Sequence, residues 1–213
     1  MAVCGRKSQN SSRTEAKAVI EGRPHEGPVF LAWFSKGCNP STQVRFIWGI
    51  DYAFSWSEGG ELVPGVTFDA SQTVPADPSR ADANAIGLTH NKVGYTFLPS
   101  TKSVPVGSLG VFADNTVPVK KASVGIAMGG ASAVAVQAGP NLNFTFKPHP
   151  KYWVCFGDYL EGEVIDINEM TNVQEIIFGP NEYALHVTLK ADNTWKVENA
   201  ASYNAMLLKK FGK

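Results

Sequence analysis

The chain has no excess of either charge: 19 lysines and arginines stand against 19 aspartates and glutamates over 213 residues. Binding nucleic acid depends on a dense cationic face that displaces phosphate counterions, so this balance argues against nucleic acid as a partner. Cysteine is scarce. Cys4, Cys38 and Cys155 are an odd number, form no C-x-x-C pair and have no metal-ligand spacing. They exclude a disulfide framework and read as thiols of a reducing compartment. The four histidines, His25, His90, His149 and His186, lack the H-x-H or H-x-[DE] spacing of metal sites on β-folds, so no metal is expected. There is no G-x-S-x-G elbow, and no glycine-rich loop opens a helix to cradle phosphate. No cofactor is expected. Residues 1–7 have no apolar run of the kind that directs secretion, which predicts a protein that is cytoplasmic or released without a signal peptide. The sequons at residues 10–12 and 143–145 then read as chance matches.

What the chain does have is strand formers and turn formers. Twenty glycines and 13 prolines punctuate 12 phenylalanines, 6 tyrosines and 5 tryptophans, a mixture that favours short strands joined by turns. Residues 44–56 carry the clearest pattern: Val44, Phe46, Trp48, Ile50, Tyr52, Phe54 and Trp56 alternate with mostly small or polar positions. Period two predicts one long half-buried strand, with a bulge near Gly49 to relieve its length. Shorter strands are expected at 29–34, 66–74, 93–98, 109–112, 122–128, 131–138, 143–146, 152–156, 163–167 and 174–178. A hairpin is expected from 183–190 and 194–198, and a helix over 200–210. The fold class predicted is all-β: an antiparallel β-sandwich, jelly-roll-like, with a barrel as the alternative and a short C-terminal helix. Residues 1–25 read as a flexible N-terminal arm and residues 26–213 as a single sandwich domain.

Four features bear on function. Residues 122–146 contain no charge. They read either as a hairpin buried on both faces, turning at Gly129-Gly130, or as a membrane-active segment over 122–136. Between Lys151 and Lys190 every charge is negative (Asp158, Glu161, Glu163, Asp166, Glu169, Glu175, Glu182), which reads as a solvated face. The tetrapeptide Ala-Asp-Asn-Thr occurs at 113–116 and 191–194, expected as shared turn chemistry rather than a duplication. Finally, Trp56 lies near Glu58, and Trp195 follows Asp192 and Asn193. A ring beside a carboxylate or amide can stack on a sugar and bind its hydroxyls, which makes these five the candidate ligand-binding residues. Core packing is the competing role for both tryptophans.

Together these features predict a non-catalytic recognition protein with carbohydrate, or another small ligand, as its partner. Two alternatives stay open: a membrane-acting or self-assembling β-protein using residues 122–136 and the basic arm (Arg6, Lys7, Arg13, Lys17), and an enzyme or cyclase holding an apolar small molecule in a barrel pocket. Homo-oligomers are compatible with all three.

Overall fold

The computed structural model describes residues 12–21, 27–39, 41, 43–166, 170 and 172–211. In chain order these form β1 (Ser12–Glu21), β2 (Val29–Leu31), β3 (Tyr52–Ser57), β4 (Gln72–Ala76), β5 (Ala85–His90), β6 (Tyr95–Pro99) and β7 (Leu109–Ala113). They continue with β8 (Ser123–Met128), β9 (Ala131–Gln137), β10 (Asn143–Val154), β11 (Val164–Ile165), β12 (Gln174–Ile176), β13 (Leu185–Leu189), β14 (Trp195–Asn199) and α1 (Ala200–Phe211). One six-stranded sheet runs β1-β10-β7-β5-β6, with β12 also on β10; a second runs β11-β2-β9-β8-β3-β4; β13 and β14 pair alone. Pairing is antiparallel except between β5 and β7, which are parallel. The fold is an all-β sandwich with a short C-terminal helix.

Strand alternation fills the space between the two sheets. Phe54 and Trp56 of β3 and Val124 and Ile126 of β8 meet Leu88 of β5, Val111 of β7 and Phe144 and Phe146 of β10 in one buried cluster. Truncating a phenylalanine in such a site costs about 3–5 kcal/mol, so this cluster dominates stability.

The centre of the second sheet is buried on both faces. All six positions of β8 are buried; on the sheet's outer side Phe68 lies against Gly125 and packs with Leu31, Ala135 and Val164 of the neighbouring strands. Small residues are required there: a Cβ on Gly125 would lie 2.5 Å from the Val134 carbonyl oxygen and 3.1 Å from Ser55 Oγ. Residues 122–136 are therefore a central hairpin, turning at Gly129 and Gly130 with φ of 57° and 86°. Two successive positive φ values define the turn that matches strand twist.

The expected strand over 44–56 is cut in two. Only Tyr52–Ser57 is a strand, because its partner β8 ends opposite Tyr52 at Met128 and turns away at Gly129. The Gly129 N–H donates to the Asp51 carbonyl at 3.0 Å, closing the ladder. Upstream, no ladder continues among the described residues, and alternation sorts side chains only in part. Phe46 and Trp48 enter a second aromatic cluster with Trp33 and Tyr152 and Ile47 stands exposed between them, but Ile50, expected on their face, is exposed too. Part of the segment expected as an arm is described. Residues 12–21 form β1, registered on β10 from Ser12 opposite Val154 to Glu21 opposite Asn143. The rest of residues 1–25 lies outside the described residues. The strands expected at 143–146 and 152–156 are one continuous strand, β10.

One side of the sandwich is clasped by a side chain. Gln72 of β4 accepts, through Oε1, the Trp56 indole N–H at 2.8 Å and the Phe97 backbone N–H of β6 at 3.0 Å. Each donor belongs to a different sheet. At the C-terminal end the β13–β14 hairpin covers the second aromatic cluster through Leu185, Val187 and Trp195. Asn199 then caps α1, its Oδ1 accepting the Ser202 N–H at 2.8 Å. Among the described residues, no helix is long and apolar enough to cross a membrane.

Candidate functional site

The five candidate ligand residues do not form one site. Trp56 is 6% exposed, its ring packs on Tyr95 at 5.5 Å between centroids, and its N–H is held by Gln72. Glu58 stands exposed just past the end of β3. Trp195 packs into the second aromatic cluster and donates its indole N–H to the Asn172 carbonyl at 2.9 Å. Asp192 and Asn193 sit in the β13–β14 turn, where Asn193 takes φ of 60°. Both tryptophans thus commit their indole N–H to an acceptor of the chain itself.

The repeated tetrapeptide is turn chemistry. Asp192 Oδ1 accepts the Thr194 N–H at 3.0 Å and its hydroxyl at 2.6 Å; Asp114 Oδ1 accepts the Thr116 N–H at 2.8 Å and its hydroxyl at 2.5 Å. The Thr194 hydroxyl and N–H hold the Asp192 carboxyl below its ordinary range. At Asp114 burial pushes upward, and the hydrogen bonds from Thr116 and Thr89 outweigh it, so the carboxyl stays low and ionised. Acidic residues of the run after Lys151 act in the same local way. Glu163 accepts the Leu160 N–H at 2.7 Å and Glu182 the Gly179 N–H at 2.8 Å. Among the described residues, no three His, Cys, Asp or Glu side chains converge as metal ligands.

A different site emerges on the outer face of the first sheet. Directly paired residues share a face, and the register lines up four of them across four strands: Leu98 of β6 faces Gly87 of β5, Gly87 faces Phe112 of β7, and Phe112 faces Asn143 of β10. Inward neighbours Leu88, Val111 and Phe144 go to the core, so this row must face out. The next outward row brings Thr89 and Asp114, and the Asn141 N–H donates to the Asp114 carbonyl at 3.0 Å. The result is an open groove of about 500 Å³ floored by Gly87 and Phe112 and walled by residues 98–102 on one side and Asp114, Asn141 and Asn143 on the other.

Two glycines shape this groove. A Cβ on Gly87 would meet only the Leu98 and Phe112 carbonyl oxygens, at 3.4 and 3.9 Å, so the missing side chain leaves a trough rather than relieving a clash. Gly110 does the opposite. Its Cβ would lie 2.6 Å from Val104 Cγ1, so its absence lets the 100–108 loop lie down on the sheet. Asn84 pins that loop, donating from Nδ2 to the Val104 carbonyl at 2.9 Å while its own carbonyl accepts the Gly110 N–H at 2.7 Å. Lys102 then reaches over the floor. Its ammonium sits 5.1 Å from the Phe112 ring centroid and 3.4 Å from Asn143 Oδ1, within the range of a cation–π contact.

Sequence reasoning missed this groove. Its signal was weak but present: Gly87 and Gly110, both inside strands, where glycine marks a close approach of other groups.

The molecule is therefore a two-sheet β-sandwich with an open groove, aromatic at its floor and polar at its walls, on the outside of one sheet. Residues 7–200 match the RhiA family, and the chain belongs to it. Protein RhiA from Rhizobium leguminosarum bv. viciae is 36% identical over 176 residues, which span 80% of this chain and 74% of that protein. No solved structure is significantly similar to the chain.

Proposed function

We propose that the chain is a non-catalytic recognition module that binds a carbohydrate in the groove over Phe112. One observation carries the reading: a half-buried aromatic ring lies in register between a glycine and an amide, with further amide, carboxylate, hydroxyl and ammonium groups around it. The C–H face of a pyranose covers an aromatic ring of this kind, and its hydroxyls need donors and acceptors around the rim. Asn141 and Asn143 supply both, Asp114 accepts, and Lys102 donates. The groove is shallow and open. That suits a segment of a longer glycan better than a small apolar molecule, which needs enclosure to gain from burial.

Gly87→Val tests this. Valine at an outward strand position fits the strand and puts its methyls into the trough, beside carbonyl oxygens it can tolerate. The expected result is that the wild-type chain is retained by particular glycans on an array, whereas G87V is not and unfolds in urea at or above the wild-type midpoint. A wild-type chain that binds no glycan, or a folded G87V that binds as well as wild type, would sink the reading.

A further inference from the structure

We infer that the saccharide this groove takes is acidic, a uronic-acid-bearing glycan whose carboxylate pairs with Lys102. The inference rests on the carbohydrate reading and adds the ligand's charge and orientation.

Of the groove's lining residues, only Lys102 and Asp114 are charged. The Lys102 ammonium has settled on a ring face and a neutral amide oxygen, and neither of these is a counterion. An ammonium is strongly hydrated, and an exposed one gains little from such a perch. The perch is also the surface a sugar ring needs. A neutral hexose would have to displace the ammonium from the ring and offer it only a hydroxyl. A uronate displaces it and pairs with it in one step: the ring takes the face of Phe112, and the carboxylate follows the ammonium to the side.

Asp114 fixes the direction. It lies two residues beyond Phe112, about 6.6 Å along an extended chain, a distance comparable to the width of one pyranose. Thr116 takes up its Oδ1 and Thr89 also bonds the carboxyl, so what it offers the groove is chiefly negative charge, with its remaining lone pairs as acceptors. Hydroxyls at the far edge of the ring can donate to it, while a second acid there is repelled. The site so described accepts one carboxylate, at the Lys102 edge, with a diol at the other. A phosphorylated ligand fits less well, because every lining residue belongs to a strand or loop and no helix N-terminus adds its N–H groups to the one lysine.

The experiment is calorimetric titration of the full chain with two probes, an oligomer of glucuronic acid and the glucose oligomer of the same linkage. The two differ only at C6. The expected result is roughly fivefold tighter binding of the uronide, the upper end of what an exposed ion pair provides, with the difference fading as salt is raised. Lys102→Gln abolishes the difference and Lys102→Arg keeps it. Equal affinity for the two probes overturns the acid inference and leaves the groove reading standing. A uronide preference that survives K102Q overturns the inference too, because the acid is then read elsewhere. Binding of neither probe, nor of any glycan on the array, removes both.

Discussion

Replacing Gln72 by leucine removes one oxygen and tests how the sandwich is closed. That oxygen accepts two protons, from the Trp56 indole at 2.8 Å and from the Phe97 backbone N–H at 3.0 Å. Leucine keeps most of the side-chain volume and satisfies neither donor. A buried donor left without a partner costs about 1–3 kcal/mol. Both bonds are partly buried, so each donor belongs near the low end, and Q72L should lose about 2–3 kcal/mol in all. Against a typical total of about 5–15 kcal/mol this is a large fraction and easily measured. Urea unfolding followed by fluorescence gives the loss as a shift in midpoint at unchanged slope. Gln72→Glu is the companion variant, since a carboxylate still accepts both protons and should retain most of the stability. Trp56→Phe deletes one donor, so Q72L in the W56F background should cost about 1 kcal/mol less than in wild type. Q72L within about 0.5 kcal/mol of wild type, a size usual for an inconsequential surface change, would refute the clasp, as would strict additivity with W56F. The clasp also reaches the groove, because the bonded Phe97 precedes Leu98, one of the lining residues.

The remaining expectations are more local. Gly129→Ala forces φ of 57° on an L-residue and puts a Cβ 2.9 Å from that of Trp48, so it should cost about 1–2 kcal/mol or more by urea unfolding; an unchanged midpoint would show that the turn does not fix the hairpin. Asp114 titrates below its ordinary range when folded, so the stability it adds is complete above the unfolded value of about 3.9 and is lost as pH falls through the lower folded value. The stability gap between wild type and Asp114→Asn should therefore shrink as pH falls below about 5, and a gap constant throughout acid titration would refute the assignment. Gly87→Val should separate binding from folding, as set out above, and K102Q should erase any preference for an acidic glycan.

The fold was legible where local chemistry and tertiary pairing agree. The hairpin at Gly129-Gly130, the hairpin ending at residues 195–199 and the helix from Ala200 each follow from residues adjacent in sequence. Legibility failed where a partner decides. Residues 44–56 alternate throughout, but alternation specifies faces and not hydrogen bonds. The ladder stops at Tyr52 because β8 stops at Met128, a fact stored some seventy-five residues downstream. β5 was missed for the complementary reason: Gly87 and Thr89 interrupt its apolar residues, and it becomes a strand by lying between β6 and β7. β1 alternates through small residues, Thr14, Ala16 and Ala18, before Ile20, too little apolar area to announce a strand.

The groove was harder to read than the fold, and for a stricter reason. Tryptophan beside carboxylate or amide is a local pattern, and it led to Trp56 and Trp195, whose indole nitrogens are committed to Gln72 and Asn172. A large aromatic in a strand is worth most to the protein in its core, so the conspicuous rings are those least available to a ligand. An available ring needs a neighbour that declines to cover it. At Phe112 that neighbour is Gly87, 25 residues upstream by the numbering and beside it only through a parallel register. The other wall comes from Asn143, brought in by a third strand. A site made of one row across four strands has no sequence signature longer than a single residue. What betrays it is an absence repeated in neighbouring strands, a glycine where the pattern calls for an outward side chain.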